Sequence, residues 1–160
     1  PTLTHKALIV LGPYMPAEQR TMFAKKGAAI PYIEVIEFDT RMEELIASSK
    51  AVVAMGGYNT YCEILSFDKP ALIIPRVMPR EEQLIRATRA AELGLIDMLR
   101  PEESRDPKRL AAALKALPSR LPPSSNSAGL HLKGLSNIAR MVGSELAQRE
   151  LIPAIAEEAH

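Results

Sequence analysis

Cysteine is scarce in this chain: Cys62 is the only one in 160 residues. An internal disulfide and a cysteine-based zinc cluster are thereby excluded, and the usage fits a reducing compartment. Neither charge is in excess, since 20 basic residues face 19 acidic ones for a formal +1. Such a surface has no strong field to gather nucleic acid or an anionic membrane, so a partner must be held by a local site. Long apolar runs are missing too. The longest, Ala51 to Met55 and Ala71 to Pro75, are strand-sized and cannot span a bilayer. No basic-then-apolar signal peptide opens the chain. No clear Asp-x-Asp triplet is present to hold a divalent metal. His5, His131 and His160 lie far apart and read as surface residues, not as catalysts or ligands. Cys62 has no histidine in its motif and reads as a small buried hydrophobe.

What is present suits one globular domain. Hydrophobic residues make up 47% and charged residues 24%. A chain of this length buries about 70% of its unfolded surface, enough for a core without staples. The chain begins at Pro1 without a Met, which is expected of a processed chain or of a piece of something longer.

Short apolar runs alternate with amphipathic stretches. Lys6 to Leu11 reads as a strand closed by Gly12-Pro13, and Pro16 opens a helix over Ala17 to Lys26 that ends at Gly27. Tyr32 to Phe38 is a second strand with its glutamates alternating outward. Thr40 can cap a helix over Arg41 to Ser48, with Glu43 completing a capping box. Ala51 to Met55 holds no polar residue, as expected of a central parallel strand covered on both faces. Gly56-Gly57 then leads into a helix over Asn59 to Phe67. Ala71 to Ile74 is the next buried strand, Glu81 to Leu93 a long helix stopped by Gly94, and Leu95 to Met98 a short edge strand. Asp106-Pro107 starts a helix over Lys108 to Leu117. Leu121 to Gly129 is rich in Pro, Ser and Asn and reads as a linker. His131 to Glu150 returns to helical spacing, with Leu132, Leu135, Ile138, Val142 and Leu146 on one face. Strands separated by helices through short connections imply parallel βαβ units with right-handed crossovers. Ligands of such sheets bind at the carboxyl ends of the strands.

Three places after strands gather chemistry. At Met55 to Glu63 a buried strand runs into two glycines and a helix start, which suits a phosphate or diphosphate. Asn59 and Thr60 can cap that helix or meet the anion. Glu63, one turn on, can accept two hydrogen bonds from a vicinal diol such as a ribose. The same residues also read as a tight turn with a solvated glutamate. At Pro75 to Gln83, Arg76 can meet a diphosphate oxygen, and Glu82 with Gln83 can hold sugar hydroxyls; an ordinary charged helix start accounts for them as well. Phe38 and Asp39 could flank a nucleobase through the backbone, although a capping role for Thr40 explains that segment equally.

The stretch SKAVVAMGGYNTYCEILSFDKPALIIPRVMPREEQLIRA resembles the donor-sugar half of GT-B glycosyltransferases, in particular the bacterial cell-wall N-acetylglucosaminyltransferase family and related glycosyltransferases. The Gly-Gly turn, the glutamate of the following helix, the Lys-Pro-Ala strand start and the acid/amide pair after the next strand come in the same order. The likeness runs from Ala7 to Leu117 and is densest from Asp39 to Ala87. It implies an α/β fold, a Rossmann-like parallel sheet flanked by helices that forms the C-terminal half of a GT-B enzyme. Residues 1–120 would be the nucleotide-sugar domain, lacking its first strand. A linker at 121–129, an additional C-terminal helix at 130–150 and a tail at 151–160 would follow.

Carried over by residue, the resemblance assigns the donor diphosphate to Gly56, Gly57, Tyr58, Asn59 and Thr60, with Arg76 and Arg80 nearby. Glu63 would bind the ribose, Phe38 and Asp39 the base, and Glu82 and Gln83 the donor sugar. The chain departs from the cell-wall enzymes in having Glu82 where they carry a second glutamine, and Met55-Gly56 where they carry a basic and a small residue. The implied activity is inverting, metal-independent transfer from a nucleotide-diphospho-sugar, UDP-linked by this likeness, with no cofactor. The acceptor half and its general base would lie in an N-terminal domain of the same or a separate chain, so the isolated chain is expected to be inactive. A cytoplasmic location follows, peripheral to the membrane through that other half, and a homo-oligomer is open. The alternatives are half of a sugar-nucleotide epimerase, or a non-catalytic donor-binding subunit that pairs with a separate acceptor-binding chain.

Overall fold

A computed structural model of the chain describes residues 5–126. The helix expected over 130–150 and the tail at 151–160 lie outside the described residues.

Five strands alternate with helices in chain order: β1 (Ala7–Val10), α1 (Ala17–Ala28), β2 (Ile33–Ile36), α2 (Met42–Ser48), β3 (Val52–Ala54), α3 (Tyr58–Ser66), β4 (Ala71–Ile73), α4 (Glu82–Glu92), β5 (Asp97–Met98), α5 (Pro101–Ser104) and α6 (Pro107–Ala116). Every strand pairing is parallel. A parallel neighbour cannot be reached by a tight hairpin, so each connection has to cross over, and helices fill the crossovers. The pairings form two sheets, β1-β2 and β3-β4-β5. Within each sheet the strands lie in chain order, and among the described residues no pairing joins β1 to β3.

That arrangement corrects the reading of β3. Its residues are all apolar, yet it is an edge strand of its sheet, and Val53 is 47% exposed. The strand covered on both sides is β4, where Ala71, Leu72 and Ile73 are all buried. Around it Ile64 and Leu65 of α3, Ala87 and Ala90 of α4, and Leu95 and Ile96 make one core. Full burial of each large aliphatic side chain in that set stabilises the fold by about 1.5–3 kcal/mol.

Helix ends explain how the layers meet. Both α3 and α4 close with the same pair of backbone bonds. After α4, Gly94 N donates to Ala91 O and Leu95 N to Ala90 O, with Gly94 at φ +70. After α3, Asp68 N donates to Leu65 O and Lys69 N to Ile64 O, with Asp68 at φ +52. Each motif satisfies the last carbonyls and turns the chain back toward the sheet. Gly27, expected to end α1, lies inside it; a Cβ there would run into the Val35 side chain, so this glycine lets α1 sit close on β2. Thr40 does not cap α2. Asp39 Oδ1 instead accepts from Arg41 N at 2.8 Å, and this local turn delays the helix to Met42. Asp106 does cap α6, accepting from Lys108 N at 2.9 Å. The short α5 was not expected; Pro101 opens it, and Glu103 reaches back to accept from Arg100 N at 2.9 Å. The first residues of the 121–129 segment are docked: Ser124 donates to the Asp68 carboxylate from its backbone N and its hydroxyl, and Asn126 Nδ2 donates to Gly94 O.

Candidate functional site

An open cavity of about 900 Å³ lies at the carboxyl ends of the strands. Val10 of β1 and Val53 and Ala54 of β3 form part of its wall, and Ile74, Pro75 and Val77 after β4 another part. Its polar features come from three segments: the Gly56-Gly57 turn with Thr60, Arg76 after β4, and Gln83 on the first turn of α4.

The turn is built for close approach. Gly56 is buried and adopts φ +75, and a Cβ on it would stand 2.9 Å from Ile73 Cγ2. Both facts require glycine at that position. Around Gly57, by contrast, a Cβ would meet nothing within 4 Å. Gly57 is also the N-cap of α3, and no side chain caps this helix. Asn59 and Thr60, read as possible caps, fall inside the first turn because the helix starts at Tyr58. The first backbone bond into α3 runs from Tyr61 N to Gly57 O at 2.9 Å. The N–H groups of Tyr58, Asn59 and Thr60 are therefore left for another acceptor, at the positive end of the helix dipole. An anion is the acceptor such a terminus favours.

Two side chains of α4 tie the neighbouring loops together. Gln83 Oε1 accepts from Arg76 N at 3.1 Å, which holds the segment after β4 and leaves the Gln83 amide N–H groups for other partners. One turn further, Arg86 Nη1 donates to Gly56 O at 2.8 Å. The Arg86 guanidinium also lies 5.4 Å from the Tyr58 ring centroid and 5.9 Å from that of Tyr61. Burial pushes the Tyr61 hydroxyl pKa up, against the lowering pull of Arg86. Arg76 is exposed, and no ion pair engages it among the described residues.

The expected site residues thus divide. Gly56, Gly57, Thr60, Arg76 and Gln83 line one cavity. Tyr58 and Asn59 are exposed at the start of α3, outside the lining. Glu63 is half-buried one turn beyond Thr60, and Arg80 and Glu82 are exposed at the approach to α4 and on its first turn. Phe38 is 55% exposed after β2. Asp39 follows it, with its carboxyl pKa held below the ordinary value of 3.8, chiefly by the Arg41 backbone N–H and further by the Arg41 side chain. None of these last five lines the cavity. Arg86 was missed by sequence reasoning. Its signal was faint: a cation three residues after Gln83, on the same helix face.

No group of three or more His, Cys, Asp or Glu that could hold a metal occurs among the described residues. Nor is any helix among them long and apolar enough to cross a membrane.

Comparison with known proteins adds what geometry alone does not. The sequence profile of the family described as glycosyltransferase family 28 C-terminal domain matches residues 2–140. A curated relative is the UDP-N-acetylglucosamine–N-acetylmuramyl-(pentapeptide) pyrophosphoryl-undecaprenol N-acetylglucosamine transferase of Lachnospira eligens. It is 32% identical over 88 residues, which are 54% of this chain and 25% of that protein. The chain thus spans about a quarter of that relative's length. Among solved structures, the glycosyltransferase of kitacinnamycin superposes with a TM-score of 0.55 at 20% identity, over 91% of this chain and 43% of that one. The calicheamicin glycosyltransferase CalG4 does so with a TM-score of 0.53 at 19% identity, over 77% and 36%. At such identities these two structures speak to the fold, the Rossmann-like C-terminal half of a GT-B glycosyltransferase.

Proposed function

The chain belongs to the glycosyltransferase family 28 C-terminal domain family, and from that premise we propose that it is the donor-binding half of an inverting glycosyltransferase that uses a nucleotide-diphospho-sugar. The observation that carries the reading is the Gly56-Gly57 turn opening an uncapped α3 on the same cavity as Arg76 and Gln83. The diphosphate rests on the free N–H groups of α3, with Arg76 and Arg80 supplying positive charge. Glu63 accepts from the ribose hydroxyls, the segment at Phe38 and Asp39 borders the base, and Glu82 and Gln83 meet the donor sugar. The curated relative is named for transfer from UDP-N-acetylglucosamine, which makes a UDP-sugar the first donor to test.

Transfer runs as follows. A base in an N-terminal acceptor domain takes the proton of the acceptor hydroxyl. Its oxygen attacks the anomeric carbon from the face opposite the diphosphate, and the nucleotide diphosphate leaves with the bonding pair. Negative charge grows on that leaving group. The donors already aimed at it are the α3 N–H groups, the helix dipole and Arg76, so they lower the barrier without reorganising. The sequence offers no Asp-x-Asp triplet, and in this reading these donors do the work a divalent cation does elsewhere.

The test is a calorimetric screen of the chain against UDP, GDP, dTDP and their sugars. One nucleoside diphosphate should bind, with its sugar conjugate binding at least as tightly. No binding by any of them would reject the reading. Incubation with labelled donor and no acceptor domain should yield no glycosylated product, and turnover by the 160-residue chain alone would refute the need for a second half.

A further inference from the structure

Resting on the donor-binding reading above, we infer that Arg86 is a positioning residue for the diphosphate, acting through the Gly56 carbonyl. A single peptide group joins Gly56 to Gly57 at the mouth of α3. A glycine-glycine peptide has the least steric resistance to rotating about its flanking dihedrals. Left to itself, it would present its N–H or its carbonyl to a ligand with little preference. A carbonyl facing a phosphate repels it; an N–H binds it.

Arg86 removes that freedom. Its Nη1 donates to Gly56 O at 2.8 Å from a half-buried position on α4, 30 residues away in sequence. In a trans peptide the carbonyl and the next N–H point in opposite directions. Holding Gly56 O on the α4 side therefore turns the Gly57 N–H the other way. Gly57 lines the cavity and has open space around its Cα. The guanidinium is itself braced by two rings of the helix it serves, at 5.4 Å from Tyr58 and 5.9 Å from Tyr61. A planar guanidinium can stack on rings and donate at its edge at once, which an ammonium cannot do. No carboxylate pairs with Arg86 among the described residues. Its charge thus adds to the positive end of α3 instead of being neutralised.

Arg86 also links the two halves of the cavity. The helix that holds the Gly56 turn through Arg86 holds the segment after β4 through Gln83. The diphosphate cradle and Arg76 are thereby kept in register by one rigid element.

The experiment compares the wild-type chain with Arg86→Gln and Arg86→Lys, titrating UDP and uridine by NMR and recording each Tm. Arg86→Gln should weaken UDP about tenfold, the usual effect of losing one hydrogen bond to a charged donor. Uridine, which has no phosphate, should stay within about twofold of wild type, since only the phosphate cradle is disturbed. Arg86→Lys keeps the charge and the aliphatic stem, so it serves even if the glutamine variant fails to fold. It should lose about threefold to fivefold for UDP, because the fork and the ring stacking are gone. UDP affinity in Arg86→Lys equal to wild type would overturn the inference. So would a loss for UDP matched by an equal loss for uridine, the mark of a merely structural role. If the wild-type chain binds none of the nucleotides, the donor-binding reading falls first and this inference falls with it.

Discussion

Replacing Gly56 by alanine tests the geometry on which the site depends. The position is at φ +75, and the new Cβ would stand 2.9 Å from Ile73 Cγ2. Two costs add. A residue with a Cβ in the left-handed region pays about 1–2 kcal/mol. Ile73 is fully buried in the central strand β4 and cannot swing aside, so overpacking adds about 1–3 kcal/mol. Together these amount to about 2–5 kcal/mol, a large share of the roughly 5–15 kcal/mol that holds a domain together. For a chain of this size the loss corresponds to a fall in Tm of about 5–15 °C. Gly57→Ala is the control. Gly57 has φ −53, and a Cβ there meets nothing within 4 Å, so its Tm should move by no more than about 2 °C. Thermal unfolding followed by circular dichroism reads both. A double-mutant cycle with Ile73→Ala separates the two costs: removing Cγ2 should relieve the overpacking part and leave the backbone part, giving a coupling of about 1–3 kcal/mol. Equal Tm values for the two alanine variants, or a cycle with no coupling, would refute this account of the turn.

Glu63→Ala should weaken UDP by about a hundredfold or more through two lost charge-assisted bonds, with Tm nearly unchanged; unaltered calorimetric affinity removes the ribose role. Gly27→Ala drives a methyl into the Val35 side chain where α1 meets β2, and should cost about 1–3 kcal/mol in urea unfolding; a neutral effect would show that α1 can lift from the sheet freely. Asp39 has a folded pKa below its ordinary 3.8 because Arg41 N–H bonds to the charged carboxylate. Its contribution to stability is therefore complete above the ordinary value and is lost as pH falls through the lower folded one. An NMR titration should place the Asp39 midpoint below 3.8, and Arg41→Pro, which removes the donating N–H, should raise it.

Much of the fold was legible because its signals are local. Strand-length apolar runs, helical spacing and the two punctuating residue types, glycine and proline, suffice to order the elements from β1 to α6 except α5. Gly94 is the clearest case: it stands at φ +70 after α4, where a helix of ordinary residues has to turn back. Asp106-Pro107 is another, a cap and a first helical residue side by side. The misreadings share one origin. Gly27 looks like a stop signal, but its smallness answers to Val35, a residue of the next strand. The all-apolar Val52 to Ala54 looks like a central strand, but composition does not say which neighbours a strand has. Thr40 and Asn59 look like caps. Asp39 in one case and the Gly57 turn in the other decide where the helix begins. The four residues of α5 are too few for any period to show.

From the sequence by itself came the alternation of strand and helix, and with it the end of the sheet at which the loops after each strand must gather. Those follow from periodicity, glycine and proline, whose effects reach only a few residues along the chain. Which loops meet was settled by tertiary structure alone. Gly56 is joined to Arg86 and Arg76 to Gln83 because α4 packs Ala87 and Ala90 into the core and so carries its polar face across two strand ends. A hydrogen bond spanning 30 residues leaves no local trace in the chain, since its geometry exists only once the helix has docked.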